Sequence, residues 1–124
     1  MKKDYKETSN RGAMSWFFQR ITAVLLFFLI MVHYITYHFI NTSAPKWATV
    51  VKKMQSPWFN LVQFLFLIAA LYHGMNGIWM LVEDYIHHKS WRFILFSLIV
   101  VIGTGLFFVG TLTIFKISNL KLGS

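Results

Sequence analysis

Two histidines stand in stretches too apolar to hydrate them: His33 within FFLIMVHYI and His73 within LIAALYHGMNGIW. An ionisable side chain in lipid costs free energy, so such a residue marks a functional position or a specific pairing. The chain has no cysteine, so it carries no disulfide, thiolate–metal or iron–sulfur chemistry of its own. A zinc site wants several His or Cys ligands at short spacing, and the apolar stretches offer no such cluster. A haem instead takes one imidazole on each axial face, and the two can come from different helices or different chains. His33 follows Arg20 by 13 residues, about 20 Å along a helix, and His73 precedes Asp84 by 11, about 16 Å. Histidines at different depths do not clasp one haem between them. Each then needs a partner histidine from elsewhere, which predicts a second membrane subunit and two haems.

His73 admits another reading. At 100° per residue, His73, Gly77, Met80 and Asp84 fall within about 40° of one another on one stripe. Gly74 and Gly77 remove side chains beside the histidine, leaving room for a flat group or for a second helix. In the latter case His73 is interhelical glue, hydrogen-bonded across a glycine-lined contact. His38, five residues past His33 and near the helix end, reads as an interfacial side chain, and His87 and His88 as headgroup or solvent contacts. Arg20 sits one turn inside the apolar boundary. It either snorkels to phosphate headgroups or pairs with a haem propionate or quinone oxygen, and it points about 140° away from His33. Asp84-Tyr85 closes its apolar run. A tyrosine hydroxyl there suits a quinone carbonyl, with the carboxylate aiding proton delivery; an interfacial anchor is the alternative.

The elements that must position these residues follow from composition. Of 124 residues, 56% are hydrophobic and 13% charged, more apolar surface than a soluble domain of this size can bury. The reading is an all-α membrane protein, one integral anchor domain over 1–124, with three transmembrane helices at about 15–40, 57–85 and 91–116 and a bundle completed by a partner subunit. Residues 1–14 read as a polar, partly ordered tail and 117–124 as a short C-terminal tail. The first apolar run, about 25 residues (16–40), is too long for a cleavable signal. Residues 41–54 read as a loop with a short surface helix around 47–54, and Ser56-Pro57 as a capping hydroxyl followed by a first-turn proline. Trp16, Trp47, Trp58 and Trp91 fall near helix ends, where indoles favour the headgroup layer, and Trp79 is the exception. The third helix is almost purely apolar, with Gly103 and Gly110 on one face for close helix approach, and reads as scaffolding.

The balance is basic, 12 Lys+Arg against 4 Asp+Glu. These charges flank apolar runs rather than forming a stripe, so they suit lipid headgroups and topology rather than nucleic acid. Lys2, Lys3, Lys6, Arg11, Arg20, Lys89 and Arg92 on one side outnumber Lys46, Lys52, Lys53, Lys116 and Lys121 on the other. The positive-inside rule then predicts a cytoplasmic N-terminus.

His73-Gly-Met-Asn-Gly77 followed by Asp84-Tyr85 resembles the second helix of the smaller membrane anchor of succinate dehydrogenase. Trp16-Phe-Phe-Gln-Arg20-Ile-Thr-Ala23 resembles the opening helix of that same anchor, and the likeness covers roughly residues 14 to 93. The resemblance implies a heterotetramer in the bacterial cytoplasmic membrane: a flavoprotein subunit oxidising succinate, an iron–sulfur subunit relaying electrons, and two membrane subunits holding haem b and the quinone site. It implies His73 as a haem b ligand, Tyr85 as the quinone-contacting tyrosine with Asp84 beside it, and Arg20 near the propionates or quinone pocket. His33 matches the extra histidine of the two-haem versions. The segment Ser-Trp-Phe-Phe before Gln-Arg departs from some relatives, so no quinone role passes to Ser15.

The leading expectation is therefore a haem-bearing anchor, inactive alone, that passes electrons from the iron–sulfur subunit to membrane quinone. The same parts run backwards in a quinol:fumarate reductase, or serve another haem b dehydrogenase. A haem-free structural anchor is the competing class. A transporter fits poorly, since three helices with two buried ionisable groups show no inverted repeat.

Overall fold

In lipid a backbone without water must satisfy its own N–H and C=O groups, and an open segment does so only as an α-helix. The computed structural model describes residues 2–35, 38–39 and 46–120, with side chains from residue 12 onward, and its long elements are all helical. They are α1 (Lys2–Ile35), α2 (Trp47–Met54), α3 (Pro57–Tyr85) and α4 (Lys89–Ser118). Three stretches are long and apolar enough to cross a membrane: Gly12–Ile35, Pro57–Tyr85 and Lys89–Ser118. The chain is an integral membrane protein with three spans.

The boundaries of α3 are those predicted, and α4 extends the expected 91–116 by two residues at each end. The first helix departs from expectation. Residues 2–14 are not a separate tail but the opening turns of α1. Their Lys, Glu, Arg, Ala and Met residues are good helix formers, and a single Gly12 costs only about 1 kcal/mol. The predicted end of this helix at Ile40 falls partly on residues 36–37 and 40–45, which lie outside the described residues, as do 121–124. Ser56 precedes α3 with extended backbone but its hydroxyl makes no capping bond, so Pro57 alone marks that start.

Helix α3 is the middle of the arrangement. Helix α1 packs on one side of it and α4 on another, and among the described residues α1 and α4 do not meet. Close approach of α4 depends on its glycines. A Cβ on Gly110 would stand 2.7 Å from Leu67 Cδ1, and one on Gly103 would collide with the Met75 side chain. Trp79 packs edge-on against Phe96 of α4, ring centroids 5.1 Å apart, which accounts for a tryptophan away from the helix ends. At the opposite end Asn60 donates to Ser118 Oγ at 2.9 Å. The short α2 lies against α3 and α4 with Val51 and Met54 buried and Lys52 exposed. Few other side chains are buried, Ala69 and Val82 among them. So open a row of helices needs lipid or a partner chain to cover it.

Candidate functional site

The contact between α1 and α3 is where the polar side chains of the spans converge. Ser15, Gln19 and Thr22 stand at i, i+4 and i+7, hence on one face of α1. His73, Asn76 and Met80 form the matching face of α3. Ser15 Oγ donates to Asn76 Oδ1 at 2.8 Å, and Asn76 Nδ2 donates to Gln19 Oε1 at 2.8 Å. Gln19 Nε2 donates to the His73 carbonyl at 3.2 Å. Thr22 Oγ1 lies 3.2 Å from His73 Nδ1. Each group in this ladder is a donor or acceptor that bare lipid would leave unpaired.

Gly77 makes the ladder possible: a Cβ there would sit 3.0 Å from Gln19 Nε2, whereas a Cβ on Gly74 would meet nothing within 4 Å. Gly77 thus gives the second helix room, and Gly74 opens instead on the groove between α3 and α4. His73 is half-buried, and its interhelical bond occupies Nδ1 alone. Among the described residues nothing bonds its Nε2.

The antiparallel register sets the depths. Thr22 is level with His73, and His33 lies 11 residues further along α1, so the two histidines are separated by about 16 Å along the helix axis. His33 is about 20° from Thr22 around α1 and so faces the same seam. It lines a cleft with Leu29, Phe59, Gln63 and Phe66. The other singled-out residues do not join this contact. Arg20 is level with His73 but points away from α3, exposed, its guanidinium 4.6 Å from the Trp16 ring centroid. Asp84 and Tyr85 are exposed at the end of α3, Tyr85 to 80%. His38 stacks on Tyr34 with centroids 4.2 Å apart, and His87 and His88 are exposed in the turn. Among the described residues no three His, Asp or Glu side chains cluster as a metal-binding group.

Three residues matter more than their types announced. Thr22 and Asn76 are uncharged, and only their spacing with Gln19 and His73 signals an interhelical ladder. Arg92, read as one more topology charge, bonds the carbonyls that end α3: Nη2 donates to Glu83 O at 2.8 Å, and Nε to Ile86 O. A cation there satisfies orphan carbonyls and opposes the negative end of the helix dipole. It thereby braces the last turn of α3, which carries Asp84 and Tyr85.

Over residues 4–112 the chain matches the family described as succinate dehydrogenase/fumarate reductase transmembrane subunit. It is similar to a succinate dehydrogenase hydrophobic membrane anchor subunit of Coxiella burnetii, 31% identical over 108 residues that cover 81% of this chain and 85% of the relative. Proteins of the same description from Archaeoglobus fulgidus and Thermoplasma acidophilum are also similar. The first is 31% identical over 65 residues, 52% of this chain and 56% of the relative. The second is 28% identical over 97 residues, 77% and 79% of the two chains.

Proposed function

The chain belongs to the succinate dehydrogenase/fumarate reductase transmembrane-subunit family, and from that premise we propose that it is the haem b-bearing anchor of a succinate:quinone oxidoreductase. It spans the bacterial cytoplasmic membrane as one domain over residues 1–124, N-terminus inside, beside a second membrane subunit. An iron–sulfur and a flavoprotein subunit sit on the cytoplasmic side. The observation that carries this reading is the placement of His73, near the middle of α3 with Nε2 bonded by no described residue, on the same helix whose C-terminal end exposes Asp84 and Tyr85.

The residues present fit a haem. His73 carries one ring nitrogen that no described residue bonds, and His33 lines an apolar cleft about 16 Å away along the axis. Each would supply one imidazole to hold a haem, with a second from the partner subunit. Arg20, level with His73, is the guanidinium that would pair with a propionate. When bound, each haem supplies a one-electron redox centre inside the membrane.

Quinone is the membrane substrate. Tyr85 donates its phenolic hydrogen bond to a quinone carbonyl, which favours the charge that builds there on reduction. Asp84, one residue away and open to water, delivers protons to the reduced ring. Arg92 keeps the end of α3 in place for both. Their exposure fits a site whose remaining wall belongs to neighbouring subunits.

The purified complex tests this reading. A reduced-minus-oxidised visible spectrum is expected to show b-type haem. Tyr85→Phe is expected to slow quinone reduction about five- to tenfold, the value of a lost hydrogen bond, while succinate oxidation by a soluble dye stays unchanged. A complex without haem, or a Tyr85→Phe variant with unaltered quinone kinetics, counts against it.

A further inference from the structure

We propose that Thr22 fixes the tautomer and plane of the His73 ring, which makes it a positioning residue for the axial ligand. A threonine hydroxyl has one proton to give and lone pairs to accept. Thr22 Oγ1 lies 2.7 Å from the Phe18 carbonyl and 3.2 Å from the Gln19 carbonyl, both pure acceptors in its own helical turn. The shorter of these bonds takes the proton. Towards His73 Nδ1, 3.2 Å away, the hydroxyl therefore acts as acceptor. His73 must donate, so the ring proton sits on Nδ1 and the lone pair on Nε2. A metal-ligating imidazole needs that tautomer, and a hydrogen-bonded Nδ1–H also makes the opposite nitrogen a stronger donor.

The hold on His73 is double. Gln19, three residues before Thr22 on the same face of α1, donates to the His73 backbone carbonyl at 3.2 Å. Thr22 then sets the ring itself. Helix α1 thus orders a ligand borne by α3 without contributing one at that depth. Histidine ligands elsewhere hand their second nitrogen to a carbonyl or carboxylate; here a hydroxyl whose own proton is already committed does that work.

The inference rests on the reading of His73 as a haem ligand, and the test separates the two. Thr22→Val keeps the shape and removes the acceptor; Thr22→Ser keeps the acceptor; His73→Ala removes the ligand. Each is made in the whole complex, purified from membranes. The readouts are haem retention against an apomyoglobin scavenger, the low-spin ferric EPR signal and the haem midpoint potential.

In Thr22→Val, the haem that His73→Ala abolishes is expected to be held about 10- to 100-fold less tightly, as for other second-sphere losses. Its EPR signal is expected to shift and its midpoint potential to rise, because a weaker donor stabilises ferric iron less. Thr22→Ser is expected to restore all three readouts towards wild type. If Thr22→Val does not assemble, Thr22→Ala carries the same comparison. Wild-type retention, EPR and potential in Thr22→Val, with haem still lost in His73→Ala, overturn the role of Thr22 and leave the ligand reading standing. Full haem in His73→Ala overturns both.

Discussion

At His73 the two ring nitrogens have different employment: Nδ1 is engaged by Thr22 across the helix contact, and Nε2 faces no partner among the described residues. The interhelical reading thus describes Nδ1, and Nε2 is the half of the ring left for the proposed ligand role. The histidines were legible because a titratable group in an apolar run is conspicuous on type alone. Thr22 and Asn76 were not, because uncharged polar residues are common in membrane helices and acquire meaning only through a partner helix. Nor did the sequence disclose that Arg20 stacks on Trp16, or that it shares the depth of His73. At the end of α3 the two neighbouring side chains are separable by kinetics. Asp84→Asn keeps the side-chain shape but loses the carboxyl that takes up and hands on the proton. It is expected to lower the quinone-reduction rate by about 100-fold at neutral pH, the low end of general acid–base contributions. Dye-linked succinate oxidation and haem content are expected to stay intact. Equal loss in both assays would instead make Asp84 a structural residue of the turn.

Helix α3 carries the site because it touches every other element, and its limits were readable: Pro57 admits a helix start but no interior position, and the turn at 86–88 separates two apolar runs. The start of α1 was not readable, since charged residues at 2–14 suit both a tail and a helix projecting from the membrane. The absent Ser56 cap shows a further limit of pattern. The residue type permits the bond but does not ensure it. Gly103 and Gly110 signalled close approach by some neighbouring helix, which is α3, and this contact makes a prediction at this scale. Gly110→Leu forces bulk against Leu67, where even a Cβ would sit at 2.7 Å. It is expected to destabilise the helix pair by about 1–3 kcal/mol, read as earlier thermal unfolding of the detergent-solubilised complex. Gly105→Leu is the control, since nothing lies within 4 Å of a Cβ there. Equal effects of the two would mean that α4 does not depend on this close approach.

Three spans in a row, with α1 and α4 apart, leave both faces of α3 uncovered along much of their length. A partner that completes the bundle was the sequence expectation from two histidines at different depths; the open row leaves the faces on which such a partner would pack. Orientation also belongs to this scale. With Lys89 and Arg92 on one side and the lysines of α2 on the other, reporter fusions after residue 54 and after residue 120 are expected to face the periplasm, and fusions at 87–88 the cytoplasm. The opposite pattern would put Tyr85 on the wrong side for electrons arriving from a cytoplasmic iron–sulfur subunit. The central claim is that the chain gives one axial ligand to each of two haems at two depths. Quantifying b-type haem per purified complex in wild type, His33→Ala and His73→Ala tests it most directly. Two haems in the wild type and one, spectrally distinct, in each variant is the expected result. Loss of the same single haem from both variants, or of none from either, would contradict it.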